Sequence, residues 1–188
     1  MKGKRCDWCI GSEIYKKYHD EEWGEPVYKD GKLFEILLLE SFQAGLNWLT
    51  ILKKRESFKI AFDNFDYRII SEYSENKIEE LLKNDDIIRH RGKIESTISN
   101  AKAFIKIQDE FGSFSKYIWK YVDNKPKLNS FSSLSEVPSR TDLSEQISKD
   151  LKREGFKFLG PTTVYAFMQA TGMVNDHLTY CFRHKKSI

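Results

Sequence analysis

The sequence predicts an all-α protein that forms a single domain. Apolar residues recur every three or four positions, as at Leu143, Ile147 and Leu151, which places them on one face of a helix. Ile94 and Ile98 repeat this spacing, and no sustained alternation of apolar and polar residues marks a strand. The length of 188 residues is typical of one domain, which can consist of two lobes. We expect residues 1–188 to form this domain.

Three polar residues mark the starts of predicted helices. Ser74 and Ser113 each precede a helical segment, and Asp30 stands just before the apolar run that begins at Leu33. Short polar side chains at such positions accept hydrogen bonds from the free N–H groups of a helix start, so all three are predicted N-caps.

A long connection, from about residue 123 to residue 140, interrupts the helical pattern. It contains Pro126 and Pro138 and a serine-rich stretch between them. Structureless loops of this length are uncommon in compact domains. We expect the connection to wrap between two helical lobes and to be anchored by Phe131 and Leu134.

A helix, a tight turn and a second helix are predicted between about residues 151 and 164. The turn is defined by two glycines, two phenylalanines and a proline: Gly155, Phe156, Phe158, Gly160 and Pro161. The first glycine suits a left-handed helix cap, both phenylalanines are expected to anchor the turn in the core, and the proline suits the first position of a helix. The free N–H groups at the start of the second helix favour a phosphate.

The net charge of +3 is too small to indicate a polyanionic partner, so the positions of the basic residues are more informative than their sum. The basic cluster 149–157 adjoins the predicted turn and favours a phosphate site there, whereas the basic tail 183–186 is interpreted as a solvated face. No apolar run reaches the ~18 residues that cross a bilayer, and no secretory signal is visible. Three cysteines are too few for a disulfide framework, so the sequence predicts a cytoplasmic, reduced protein without membrane contact. No pattern in the sequence indicates an oligomer, so we expect a monomer.

The stretch ESFQAGLNW, residues 40–48, predicts a ligand pocket. Glu40 ends the apolar segment 33–39, and Gly45 and Trp48 follow within eight residues. A carboxylate, a flexible backbone point and a flat ring so close together suit a planar, electron-poor group such as a flipped nucleobase. Taken alone, the stretch also fits a core helix whose first exposed residue is Glu40.

Cysteines and histidines near the two ends of the chain predict a metal site. The candidate ligands are Cys6, Cys9, His19, His177 and Cys181. Thiolate and imidazole in a four-ligand set suit zinc, and the spacing of the last two predicts one face of a helical turn. Spacing leaves two N-terminal pairs open, Cys6 with Cys9 or Cys6 with His19. Four protein ligands leave no position for water, so the metal would be structural and would join the two termini.

Five further segments occur in the order found in one enzyme family. They are YHDEEWG (18–24), ILKKR (51–55), IRHRGKI (88–94), GFKFLG (155–160) and VNDH (174–177). From about residue 6 to residue 181 the chain resembles bacterial 3-methyladenine DNA glycosylase I, of the helix-hairpin-helix DNA glycosylase superfamily. The resemblance implies that superfamily's fold, with two helical lobes and termini joined by zinc.

The resemblance also implies an activity and a partner. The chain would flip 3-methyladenine out of alkylated double-stranded DNA and hydrolyse its N-glycosidic bond, with free 3-methyladenine as the product. It implies the zinc ligands Cys6, His19, His177 and Cys181, which leaves Cys9 as a spare thiol. Because no lysine is placed for Schiff-base chemistry, we predict a monofunctional enzyme without strand cleavage.

Roles within the site follow from the resemblance and from side-chain chemistry. Glu40 would read the base by accepting from its exocyclic amine. Five aromatic residues are predicted to hold the base: Trp48, Tyr18, Trp8, Trp23 and Tyr15. Five residues are predicted to contact DNA, the first two as the wedge that fills the vacated stack: Gly45, Leu46, Lys157, Gly160 and Thr162. Asp176 is assigned a structural role.

Two other function classes fit parts of the sequence. A non-catalytic DNA-binding module would use only the hairpin, and a zinc-held interaction domain would bind no nucleic acid. Neither class requires a pocket, so the acidic and aromatic residues around Glu40 and Trp48 favour the enzyme.

Overall fold

The computed structural model describes residues 3–184, which are mostly helical. The helices are α1 (Glu13–Glu21), α2 (Asp30–Gln43), α3 (Trp48–Ala61), α4 (Tyr67–Ser71), α5 (Glu75–Lys83), α6 (Arg91–Phe111), α7 (Phe114–Trp119), α8 (Asp142–Arg153) and α9 (Pro161–Ala170). Short 3₁₀ helices lie at Asp7–Cys9, Asp63–Phe65, Lys120–Val122 and Leu134–Glu136. The all-α prediction is confirmed apart from two short strands, β1 (Lys127–Leu128) and β2 (Val174–Asn175), which pair in parallel.

The long helix α6 organises the core. It packs against α2, α4, α5 and α7, while α9 contacts both α8 and α2. Buried phenylalanines from several helices meet in one continuous cluster, among them Phe34, Phe42, Phe58 and Phe104. Each buried ring contributes about 1.5–3 kcal/mol relative to an exposed one. This cluster fixes α2, which carries the acidic residue of the predicted pocket.

Two of the three predicted N-caps are confirmed. The hydroxyls of Ser74 and Ser113 accept backbone hydrogen bonds at the starts of α5 and α7. The prediction for Asp30 was wrong, because this residue lies inside the first turn of α2. Its carboxylate instead accepts hydrogen bonds from the N–H groups of Phe114 (2.9 Å) and Ser115 (2.8 Å), so it caps α7 across the core.

The connection after residue 123 is tied down by the chain's C-terminal segment. The N–H of Lys127 donates to the carbonyl of Met173 at 3.0 Å, and β1 runs along β2. Phe131 packs against the cluster of Cys6, Leu178 and Cys181, as an anchor should. Leu134 is 44% exposed, so the prediction that it anchors the connection was wrong. The second anchor, besides Phe131, is the pairing of β1 with β2. Local sequence does not indicate this pairing because β2 is distant in the chain.

The helix-hairpin-helix unit forms at the predicted place. Gly155 has φ +102° after α8, and Pro161 is the first residue of α9. Phe156 is buried, but Phe158 is 41% exposed and has φ +56°, so its predicted place in the core was wrong. Reversing the chain in a tight hairpin turns one of the two rings outward. The carbonyl of Leu159 accepts from the Ser148 hydroxyl at 2.7 Å, which holds the turn against α8.

Several basic residues outside the hairpin pair with acidic side chains. Arg91 pairs with acidic residues of α5, and the guanidinium of Arg183 pairs with Glu25. His184 is buried and its Nε2 donates to the carbonyl of Asn129 at 2.9 Å. The prediction of a solvated tail was therefore wrong for residues 183–184, while residues 185–186 lie outside the described part. Among the described residues, no helix is long and apolar enough to cross a membrane.

Candidate active site and metal centre

Glu40 and Trp48 are brought together by a short turn between two helices. The last turns of α2 are buried on every side, so Glu40 is only 3% exposed. The helix ends at Gln43, and Gly45 has φ +81°, a conformation that glycine adopts without strain. Asn47 then caps α3 by accepting from the N–H of Leu49 at 2.8 Å. The chain reverses within five residues, and both side chains line one cavity.

The cavity has a volume of about 360 Å³, which suits a small planar ligand. Glu40 and all five aromatic residues predicted to hold a base line it: Trp8, Tyr15, Tyr18, Trp23 and Trp48. Six further residues line the cavity that were not predicted from the sequence: Gln43, Leu134, Val137, Pro138, Ala166 and Gln169. Three of these belong to the long connection, and its unusual length was the one feature of the sequence that could have indicated a role in the cavity. The two from α9 had no local signal.

The aromatic residues form a connected wall. Trp8 packs edge-on against Trp23, with ring centroids 5.1 Å apart, and against Tyr15 at 5.4 Å. Tyr18 contacts Trp48 at 5.6 Å. The Tyr15 hydroxyl donates to the Asn47 side chain at 3.0 Å, which ties α1 to the start of α3. Because the rings hold one another in place, the wall exists before a ligand arrives.

Glu40 is an ionisable residue that lines the cavity beside the aromatic wall. Burial raises the pKa of its carboxyl to about 8. Within the described residues, its Oε2 atom has no hydrogen-bond partner. Burial, followed by the nearby charge of Glu40, also raises the pKa of Tyr18. A buried carboxyl without a partner destabilises the fold, so it is expected to have a ligand-binding role.

Asp176 lines the same cavity but its carboxylate is fully engaged. It accepts hydrogen bonds from the Tyr165 hydroxyl (2.7 Å), the Gln169 amide (2.8 Å) and the Asn129 amide (2.6 Å). These bonds join α9, the long connection and the segment that follows β2. Of the two acids in the cavity wall, Glu40 is therefore the one whose hydrogen-bonding capacity is left for a ligand.

A second cluster of polar residues lies next to the aromatic wall. It consists of Cys6, His19, His177 and Cys181, all buried, with their ligand atoms within 4.8 Å of one another. Cys181 Sγ lies 3.4 Å from His19 Nε2 and 3.6 Å from His177 Nδ1. Two sulfurs and two imidazole nitrogens at these separations fit a tetrahedral metal site.

The geometry favours one of the two candidate N-terminal ligand pairs. Cys9 is not part of the cluster found among the described residues, and its thiol donates instead to the carbonyl of Cys6 at 3.1 Å. His19 is in the cluster, as the family resemblance implied. The helical turn predicted for His177 and Cys181 was wrong, because they follow β2 in irregular backbone. The two side chains nevertheless converge.

Outer hydrogen bonds orient both histidines. His19 Nδ1 donates to Asp20 at 2.9 Å, and Asp20 is itself held by Arg5, whose hydrogen bonds lower the pKa of that carboxyl to about 2. His177 Nε2 donates to the carbonyl of Trp23 at 3.0 Å. Such bonds fix the tautomer that leaves the other ring nitrogen free for a metal. The second bond also connects the cluster directly to the wall of the cavity.

The residues predicted to contact DNA are all exposed. Leu46 is 41% exposed and projects from the turn after α2, next to Gly45. Lys157 and Gly160 line a depression beside the hairpin, and Thr162 is exposed in the first turn of α9. Among residues 3–184, no side chain caps this helix start, which leaves its N–H groups available.

Comparisons with known proteins agree with the geometry. The methyladenine glycosylase family model matches residues 8–184. A DNA-3-methyladenine glycosylase of Haemophilus influenzae is 46% identical over 177 residues, which cover 94% of this chain and 96% of that protein. DNA-3-methyladenine glycosylase 1 of Escherichia coli is 43% identical over 178 residues, 95% of each protein.

The fold of this chain is also similar to that of a solved structure. A variant of 3-methyladenine DNA glycosylase I in complex with 3-methyladenine superposes with a TM-score of 0.94 at 40% identity, over 98% of this chain and 99% of that one. The family resemblance seen in the sequence is thereby confirmed. This chain belongs to the methyladenine glycosylase family, enzymes that hydrolyse N-glycosyl bonds.

Proposed function

We propose that this protein flips 3-methyladenine out of alkylated double-stranded DNA and hydrolyses its N-glycosidic bond, acting as a monomer. The observation that carries the proposal is the buried carboxyl of Glu40, whose Oε2 has no hydrogen-bond partner among the described residues, beside a preformed aromatic wall. Two observations on similar proteins support the proposal: one is named a DNA-3-methyladenine glycosylase, and a variant of another was solved with 3-methyladenine bound. A module that only bound DNA through the hairpin would need no such cavity.

The chemistry requires recognition more than acid catalysis. Methylation at N3 makes the adenine cationic, so the base is already a good leaving group. A cation over a tryptophan face gains about 0.5–2 kcal/mol, and Trp48 and Trp8 are the rings that offer such a face. Glu40 accepts from the exocyclic amine, and a positive charge beside it stabilises the carboxylate form.

Bond cleavage then uses water. The C1′–N9 bond breaks, the oxygen of water bonds to C1′, and the proton it releases leaves the site with the products. Among the described residues, no lysine lines the cavity, so no amine is placed to form a Schiff base with the sugar. This supports a monofunctional reaction that leaves the strand intact.

DNA would be held at two places. The uncapped start of α9 offers backbone N–H groups near Thr162, and Gly160 leaves open space beside its Cα atom for a phosphate. Lys157 adds a positive charge there. Gly45 and Leu46 form the wedge that enters the gap left by the flipped nucleotide.

We further propose that the four-residue cluster binds zinc with a structural role. The donor set and its outer hydrogen bonds fit zinc, and four protein ligands leave no open position. The metal would hold residues 6–19 to residues 177–181 and so fix the segment that carries Trp8. Asp176 has a structural role, because its hydrogen bonds join three segments of the cavity wall.

The proposed function is tested by incubating the protein with methylated duplex DNA and identifying the bases released into solution. We expect free 3-methyladenine, no base from unmethylated duplex, and strands that break only after the abasic sites are cleaved chemically. Release of no methylated base would contradict the proposed function. Strand breaks without chemical cleavage, together with a borohydride-trapped adduct, would contradict the monofunctional reaction.

The hairpin is tested through the salt dependence of DNA binding. Replacing Lys157 by Met should weaken binding to undamaged duplex and reduce the slope of log K against log salt by about 1, because one phosphate contact is lost. Lys59, exposed on α3, is the matched control, and Lys59→Met should leave the slope unchanged. Equal slopes for the wild type and Lys157→Met would remove Lys157 from the DNA contact.

A further inference from the structure

Lys93 is buried in the first turn of α6, and within the described part of the chain its side-chain nitrogen has no acidic hydrogen-bond partner. It is 6% exposed, and its Nζ donates to the carbonyls of Phe42 (2.8 Å) and Ala44 (2.7 Å). Burial lowers the pKa of this ammonium group. The N-terminal end of a helix is also an unfavourable place for a cation. Local stability therefore gives little reason for a lysine at this position.

The two carbonyls that Lys93 holds belong to the end of the helix that carries Glu40. Carbonyls in the last turn of a helix lack intrahelical partners, and Lys93 supplies one for each. Ala44 is also the first residue of the turn 44–46, here called the wedge turn. Gly45 has φ +81°, and the N–H of Leu46 donates to the carbonyl of Gln43 at 2.6 Å. Lys93 thus fixes the direction in which Leu46 projects.

The same helix also holds the hairpin. Asn100 is 1% exposed, and its amide donates to the carbonyl of Lys157 at 3.1 Å. The N–H of Lys157 donates back to the Asn100 Oδ1 at 2.8 Å. Asn100 follows Lys93 by seven residues, about two helical turns, so both side chains lie on one side of α6. One rigid helix therefore contacts both regions proposed to grip DNA.

We propose that Lys93 is a positioning residue for excision from DNA, which holds the wedge turn at a fixed distance from the phosphate-binding hairpin. The proposal rests on the proposed function. The wedge must enter the base stack while a phosphate sits at the start of α9, so the separation of the two regions has to match the DNA backbone. A free base needs neither region, because it contacts only the cavity.

Lys93→Met keeps the length and apolar stem of the side chain and removes both hydrogen bonds. We expect single-turnover release of 3-methyladenine from duplex DNA to slow by about 100-fold, the effect of a misplacement near 1 Å. Affinity for free 3-methyladenine should stay at the wild-type value. Lys102 lies nine residues along α6, on its opposite side, and is exposed, so Lys102→Met is the matched control and should retain the wild-type release rate.

A double-mutant cycle with Leu46→Ala separates positioning from general structural support. If Lys93 acts through the wedge turn, the double variant should release base no more slowly than the slower single variant, because both changes remove the same function. Additive losses, an unchanged rate in Lys93→Met, or an equal loss of free-base affinity would each overturn the proposal. If Lys93→Met does not fold, Lys93→Gln, which keeps one donor, carries the same comparison. Wild-type protein that released no 3-methyladenine would instead overturn the proposed function.

Discussion

Replacing Glu40 by Gln is expected to weaken binding of free 3-methyladenine by about 100-fold and to slow its excision from DNA by at least as much. A hydrogen bond to a charged group contributes about 1.5–3 kcal/mol, and every 1.4 kcal/mol is a factor of ten in affinity. The amide keeps the size of the side chain but removes the negative charge and places an N–H₂ group beside the exocyclic amine. Fluorescence titration, with the cavity tryptophans as reporters, measures the affinity.

Glu35 provides the matched control for this substitution. It lies on the same helix, and its carboxylate pairs with Arg55 outside the cavity. Glu35→Gln should therefore leave the affinity for free base unchanged, although it removes a carboxylate from α2. Equal affinities of the wild type and Glu40→Gln would exclude Glu40 from base recognition.

The same substitution should stabilise the fold, which separates loss of binding from loss of structure. Burial raises the folded-state pKa of Glu40 to about 8 from the ordinary value of 4.5. The folded protein therefore holds a proton that the unfolded chain releases, and wild-type stability falls as pH rises from 4.5 through 8. At pH 7 this costs about 3 kcal/mol, which Glu40→Gln should recover. Denaturant unfolding at pH 5 and pH 8 should show the advantage of the variant growing with pH.

Side-chain chemistry alone was sufficient to predict that Glu40 and Trp48 line one cavity. Glu40 was recognisable because a carboxylate ends a run of apolar residues, and Trp48 because a glycine turn brings it back to that acid. The aromatic residues of α1 came from the family resemblance, and the structure brings them to the same cavity. The resemblance also selected His19 over Cys9, a choice that ligand spacing left open and the cluster geometry supports.

Features that depend on distant contacts were not predictable in this way. Asp30 looked like a cap for its own helix, but its carboxylate reaches α7, more than eighty residues later. Phe158 looked like a core residue, yet the tight hairpin turns it outward. Lys93 lies in the segment IRHRGKI (88–94), where three other residues are also basic, and only the packing of α6 against α2 shows that it is buried. Local patterns describe one element, whereas these roles arise between elements.

Loss of a metal ligand is the second substitution for which we expect a large effect. Cys6→Ala should lose bound zinc and lower the free energy of unfolding by about 5 kcal/mol, because structural zinc sites contribute about 10 kcal/mol or more and domains have only 5–15 in total. The segment before α1 would be released, and Trp8 with it, so affinity for free 3-methyladenine should fall as well. Metal analysis, denaturant unfolding and base titration of one preparation measure the three effects.

Cys9 makes this prediction specific to ligation. It is a buried cysteine three residues from Cys6, and its thiol donates to the Cys6 carbonyl without joining the cluster. Cys9→Ala removes a sulfur from the same region, so it should keep one zinc per chain and the affinity for base, at a small cost in stability from the lost volume. If both variants retained zinc equally, or if Cys9→Ala lost it and Cys6→Ala did not, the assignment of the ligands would be wrong. Retention of zinc and of base affinity by Cys9→Ala, with both lost in Cys6→Ala, would show that Cys6 is the N-terminal cysteine ligand and that the wall of the cavity depends on this attachment.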